Sequence, residues 1–183
     1  SRRRHQATAK TRIAAAAAKL VAPNETIALD VGTSVLALAK ELAPRNDLKF
    51  ITNNLPAAMM LSGRGSAVYV LGGQLRPPEM AVIGGVARDQ ARNYFVDWAF
   101  IGVSGVMESG CYDYSPEDSE VKRAFIERAR QVAVLCDSSK FDHRAMARIC
   151  DLKQCHVLVT EIPPPAHLAR ALRAAGTRVI VAS

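Results

Sequence analysis

No apolar run in this sequence approaches the length needed to cross a bilayer, and its opening residues do not resemble a signal peptide. The chain therefore reads as cytoplasmic, with no membrane partner. Cysteine is sparse: Cys111, Cys136, Cys150 and Cys155 sit at irregular spacing, which is not the disulfide framework of a small secreted domain. No Cys-x-x-Cys pair occurs, and Cys155 opens an apolar strand, where buried thiols are common. Cys150, Cys155, His143 and His156 are accordingly not read as a zinc site. The GxxxxGK[ST] phosphate loop, a GxGxxG turn after a strand and the GxSxG elbow are all missing. No cofactor, metal or catalytic residue is expected from motifs of these kinds.

Acidic residues are absent from the first stretch of chain, which holds Arg2, Arg3, Arg4, Lys10, Arg12 and Lys19. The formal charge of +7 belongs to this stretch, because the other 18 basic residues face 17 acidic ones and leave +1. By composition the globular part is no nucleic-acid surface, and the basic arm either touches phosphates or is a solvated linker. What is present, 183 residues with 49% hydrophobic and 22% charged, is an ordinary globular composition with chain enough for one α/β-sized domain.

Hydrophobic periodicity alternates between strand and helix. After the arm, Ile13, Ala17, Leu20 and Val21 give a helix its packing face, and Pro23-Asn24 ends it. Residues 1–22 are thus a basic arm and helix, and 23–183 an α/β domain. Strands are expected at 26–29, 48–51, 67–71, 98–103, 132–136, 156–160 and 178–181. Helices are expected at 35–42, 55–61, 82–94 and 117–130, with a last one ending at Ala175. The stretches around Pro77-Pro78 and over 106–116 read as irregular. Such alternation specifies an open, mostly parallel sheet with helices on both faces.

Polar and glycine clusters follow the carboxyl ends of the strands, where open α/β sheets bind ligands: Asp30 to Ser34, Thr52 to Asn54, Gly72-Gly73, Ser104-Gly105 and Asp137 to Lys140. Gly32 lets the chain turn and brings backbone close to a bound group. Thr33 and Ser34 sit where a helix has free N–H groups and partial positive charge, an arrangement that binds an anion or simply caps the helix. Asp118 and Lys122 are four apart on one helical face. They form a surface ion pair, or they point at the hydroxyls and an anionic oxygen of a ligand. Together the donor-rich clusters and the two lysines favour a small polar anion.

The ordered set DVGTS (30–34), ITNN (51–54), LGGQLR (71–76), IGG (83–85), DWAFIGVSG (97–105), EDSEVKRA (117–124) and CDSSKF (136–141) resembles the effector-sensing domain of DeoR-type bacterial transcription regulators. The likeness runs over about residues 7–165. Within the family, the TNN, GGQLR, RAM and PPP stretches are most similar to the glycerol-3-phosphate regulon repressor type. The resemblance implies a fold shared with ribose-5-phosphate isomerase and the CoA transferases, and a phosphorylated sugar or polyol as effector. It implies operator DNA as a second partner, through a winged helix-turn-helix that residues 1–183 do not supply. The arm at 1–12 resembles the linker leaving that module, which would make the chain a sensor fragment. By the same resemblance Asp30, Gly32, Thr33 and Ser34 form one wall of the site, and Thr52, Asn53 and Asn54 a second. Gly72 and Gly73 give close backbone approach. Asp118, Glu120 and Lys122 match the isomerase-like active region, and Asp137, Ser139 and Lys140 complete the rim. One departure is Glu161 after Thr160, where the family usually has Asp.

These readings make the chain a ligand-sensing, homo-oligomeric repressor domain and not an enzyme. Residues 106–116 and the helix from Glu117 are expected to move or order on binding. One alternative is an aldose-phosphate isomerase with Asp118 or Glu120 as base and Lys122 as electrophilic partner. The other is an oligomerisation domain with a vestigial pocket.

Overall fold

The computed structural model describes residues 1–183. The chain opens with α1 (Arg2–Ala18), β1 (Thr26–Leu29), α2 (Thr33–Leu42), β2 (Lys49–Thr52), α3 (Leu55–Leu61) and β3 (Ala67–Val70). A hairpin of β4 (Gln74–Arg76) and β5 (Ala81–Ile83) leads to α4 (Gly85–Ala91) and the long β6 (Val96–Gly102). A second hairpin, β7 (Gly105–Met107) and β8 (Gly110–Asp113), precedes α5 (Pro116–Arg128) and β9 (Ala129–Leu135). The chain closes with β10 (Ala147–Cys150), β11 (Val157–Thr160), α6 (Ala166–Ala174) and β12 (Arg178–Val181).

The main sheet has the order β12-β11-β9-β6-β1-β2-β3, with every neighbouring pair parallel. The chain runs outward from β1 to β3, then returns to β6 on the other side of β1 and continues to the far edge. The order therefore reverses between β1 and β6. At such a switch point the connections leave for opposite faces and open a crevice beyond the carboxyl ends of the two strands. Here that crevice lies between Asp30 and Gly102.

The central strands are apolar at nearly every position because both of their faces are covered. Ile27, Leu29, Phe50, Phe100 and Leu135 join one buried cluster with residues of α1, α2 and α3. Their chain neighbours Ala28, Ile51, Ala99, Ile101 and Val134 join another with α4, α5, α6 and the small antiparallel sheet β10-β8-β7. All four cysteines are buried and unpaired.

Four segments differ from the sequence reading. The helix expected over 82–94 is a strand, a turn through Gly84 at φ 100°, and a helix of only seven residues. Paired glycines at 84 and 85 are too costly for a helix interior, whereas Val82-Ile83 suits a strand. The stretch 106–116 is ordered: Gly105–Met107 and Gly110–Asp113 pair around Glu108-Ser109, with Gly110 at φ 135°. The strand Ala147–Cys150 completes this second sheet against β8. Lastly, the basic arm is helical from Arg2 onward, because Ala9, Ile13, Ala14 and Ala17 form one buried face.

Gly105 illustrates how tightly the second hairpin is seated. A Cβ there would lie 1.9 Å from the carbonyl oxygen of His143, and Asp142 N donates to Val106 O at 2.9 Å alongside. Gly105→Ala is expected to lower the unfolding free energy by about 2 kcal/mol. Urea titration checks this, and an unchanged midpoint would mean that segment 141–143 shifts freely.

Candidate functional site

The site is built on α5. Ser115 caps this helix by accepting from Asp118 N, Pro116 occupies its first turn, and Glu117 and Asp118 complement its positive end. Val121, Ala124 and Phe125 bury its inner face. This places Lys122 in the protein interior with its side chain 3% exposed. Its Nζ pairs with Asp30 Oδ2, donates to Gly102 O at 3.0 Å and lies 3.5 Å from Asp113 Oδ2. Asp30 directly follows β1 and is fully buried, and its Oδ2 also accepts from Gly102 N at 3.0 Å. One ion pair thus joins the ends of β1 and β6 to α5 across the switch point. Burial pushes the Asp30 carboxyl from its usual 3.8 up to about 6, with Lys122 opposing the shift. Burial pulls the Lys122 ammonium down, but Asp30 and Asp113 outweigh it and the net direction is upward.

Above this floor opens a cavity of about 220 Å³. Gly32, Thr33 and Ser34 line one side. Gly32 sits at φ 120°, no side chain caps α2, and a Cβ at Gly32 would meet nothing within 4 Å. The first N–H groups of α2 are therefore left without intrahelical partners. Opposite, Arg76 donates to Asp118 Oδ2 at 2.5 Å and to Ser115 Oγ at 2.9 Å. Asp113 is held by Ser104 Oγ at 2.9 Å and by Tyr114 N at 2.8 Å. Asp137 caps the turn Ser138–Lys140, and Lys140 completes the rim. Two buried carboxylate oxygens, Asp30 Oδ1 and Asp118 Oδ1, have no hydrogen-bond partner.

Of the residues singled out from sequence, Gly32, Thr33, Ser34, Ser104, Asp118, Lys122, Asp137 and Lys140 line this cavity, and Asp30 lies directly beneath it. The others lie in the surrounding framework. Thr52 donates to Leu29 O, Asn53 to Val82 O, and Asn54 to Asp30 O while capping α3. Gly72 N donates to Gln90, and a Cβ at Gly73 would lie 2.7 Å from Ile83 O. Gly105 is packed against His143. Glu120 faces α4, 3.5 Å from Arg88, and Ser139 folds back onto Asp137. Glu161, the departure noted in sequence, accepts from Ser138 N and Oγ and so ties the 138–140 turn to β11. Sequence reasoning passed over Lys10, Arg76, Glu79 and Asp113, which also line the cavity. Arg76 carried a weak signal, as the one charge in the glycine-rich LGGQLR stretch; Lys10 was absorbed into the basic arm.

A family model described as the DeoR C terminal sensor domain matches residues 5–162, and the chain belongs to that family. It is 31% identical over 175 residues to the glycerol-3-phosphate regulon repressor of Escherichia coli K12, covering 93% of this chain and 69% of that protein. It is 35% identical over 156 residues to the HTH-type transcriptional repressor GlcR of Bacillus subtilis, covering 85% of this chain and 60% of that one. The chain thus spans 60 to 69% of the length of these two relatives. Among solved structures, ribose 5-phosphate isomerase A of Methanocaldococcus jannaschii superposes with a TM-score of 0.52 at 22% identity, over 72% of this chain and 53% of that one. The translation initiation factor eIF-2B of Pyrococcus horikoshii gives 0.56 at 18%, over 79% and 50%. These two likenesses show the fold. The family model describes a sensor domain, and the two curated relatives are named as repressors. No helix is long and apolar enough to cross a membrane.

The floor of the site has a pH signature. A carboxyl raised in the fold binds its proton more tightly there than in the unfolded chain. The contribution of Asp30 to stability is therefore full below pH 3.8 and falls as pH rises to about 6. Lys122→Met leaves that carboxylate buried alone, moves it further up and extends the fall above pH 6. The variant is expected to lose about 3 kcal/mol at pH 7 and clearly less at pH 5. The double variant Asp30→Asn/Lys122→Met should remove this pH dependence. Denaturant titrations over pH 4 to 8 check this, and equal deficits at pH 5 and pH 7 would contradict it.

Proposed function

We propose that the cavity at the β1/β6 switch point senses a phosphorylated sugar or polyol, with glycerol 3-phosphate the first candidate. Its occupancy would control operator-DNA binding by the repressor of which this chain is the sensor. The observation that carries this reading is the pairing of two chemistries in one small cavity. The α2 N-terminus offers N–H and hydroxyl donors to a cavity that Lys140 also lines, which suits a phosphate. Asp118 Oδ1 is a buried acceptor with no partner, which suits a ligand hydroxyl. A volume of about 220 Å³ fits a ligand of this size. The similarity to the glycerol-3-phosphate regulon repressor of Escherichia coli supports the same class. For the ligand to act on DNA binding it must hold one conformation of the sensor more tightly than another.

A melting panel tests the reading. A phosphorylated ligand at about 100 times its dissociation constant should add roughly 2.7 kcal/mol, a rise in Tm of about 5 °C. Glycerol and the other unphosphorylated partners should give no rise. Asp118→Asn should weaken the phosphorylated ligand about tenfold while leaving its preference over the unphosphorylated form. If glycerol 3-phosphate, hexose and pentose phosphates and inorganic phosphate all leave Tm unchanged, Gly32 to Ser34 is only a helix cap and the reading falls.

A further inference from the structure

We propose that Lys10 of α1 binds the anionic group of the ligand, so that a seated phosphate is the polar link between α1 and the rest of the domain. The proposal rests on the phosphate reading of the cavity and adds to it the element that responds. Helix α1 carries Arg2, Arg3, Arg4, Lys10 and Arg12 and no acidic residue. Its side-chain hydrogen bonds run from Thr8 to Arg4 O and from Thr11 to Ala7 O, both inside the helix. None of its cations reaches a carboxylate, since every ion pair in the fold lies between residues 25 and 167. The Nε of Arg12 is buried with no partner.

What holds α1 in place is therefore apolar contact alone, through Ile13, Ala14 and Ala17 in the cluster that α2 shares and through the buried Ala9. Such contact is non-directional, and a face made mostly of alanine offers little relief to fix rotation or sliding. Lys10 follows Ala9 on this helix and lines the cavity together with Gly32, Thr33 and Ser34. A phosphate on the α2 N-terminus has Lys10 as its cation from the neighbouring helix and Lys140 as its cation from the β9 side. Charge-assisted hydrogen bonds through that phosphate are directional where the apolar contact is not. Occupancy of the cavity then sets the position of α1.

The test is amide hydrogen exchange on the whole chain, with inorganic phosphate added against chloride at matched ionic strength. In the wild type, phosphate should slow exchange in the first turn of α2 and, about threefold or more, along α1. Lys10→Gln should weaken phosphate binding about tenfold and abolish the α1 protection even where the α2 amides are saturated. Lys10→Arg should retain both effects, and Lys19→Gln, which removes a nearby charge outside the cavity, should behave as wild type. Protection of α2 without α1 in the wild type overturns the role of Lys10 and leaves the phosphate site standing. Protection of neither overturns both, and full α1 protection in Lys10→Gln overturns the link.

Discussion

The buried pair of Lys122 and Asp30 is the contact on which the site depends. Taking both charges out of water costs several kcal/mol, and their attraction offsets that only with good geometry and further hydrogen bonds. Here Gly102 supplies both of the latter, its N–H to Asp30 and its carbonyl to Lys122. Three elements that diverge in the chain, β1, β6 and α5, are thereby fixed at one point. A pair of apolar side chains would hold them as firmly, but it would leave no polar floor. The charged pair keeps Asp113 oriented and an acceptor oxygen of Asp30 unsatisfied beside the cavity.

Around this floor the polar motifs divide between those that face the cavity and those that hold its walls. Thr52, Asn53 and Asn54 belong to the second kind. Asn53 exchanges hydrogen bonds with Val82, its side chain donating to the carbonyl and its own carbonyl accepting from Val82 N, and this fastens the β4–β5 hairpin to the end of β2. The hairpin in turn carries Arg76 to Asp118 and the Ser115 cap. A run of short polar residues after a strand thus acts two steps away from the cavity, through the guanidinium it positions. Arg76 neutralises one oxygen of Asp118 and leaves the other free.

The sheet was legible in the sequence because its signal is long and repeated: apolar strands alternating with helices across the whole chain. The edge bearing the cavity followed from where Asp30, Ser104 and Asp137 fall relative to those strands. Less legible were pairings whose partners lie far apart. Ala81–Ile83 has only three residues and Ala147–Cys150 is interrupted by Arg148, so neither stands out as an apolar strand. Arg76 reads as an ordinary surface charge until the chain brings Asp118 beside it. Glu120 lies off the cavity because residues two apart on a helix do not share a face, and Lys122 takes the inward one. For Lys10, the charge run hid a single residue with a different environment from its neighbours.

Under the proposed function an anionic ligand sits at the β1/β6 switch point with its phosphate on the α2 N-terminus. A crystal structure of the chain grown with glycerol 3-phosphate measures this directly. Phosphate density is expected within hydrogen-bond reach of the Thr33 and Ser34 backbone, with a ligand hydroxyl on Asp118. Phosphate density elsewhere on the surface, with this cavity filled only by water, would contradict it.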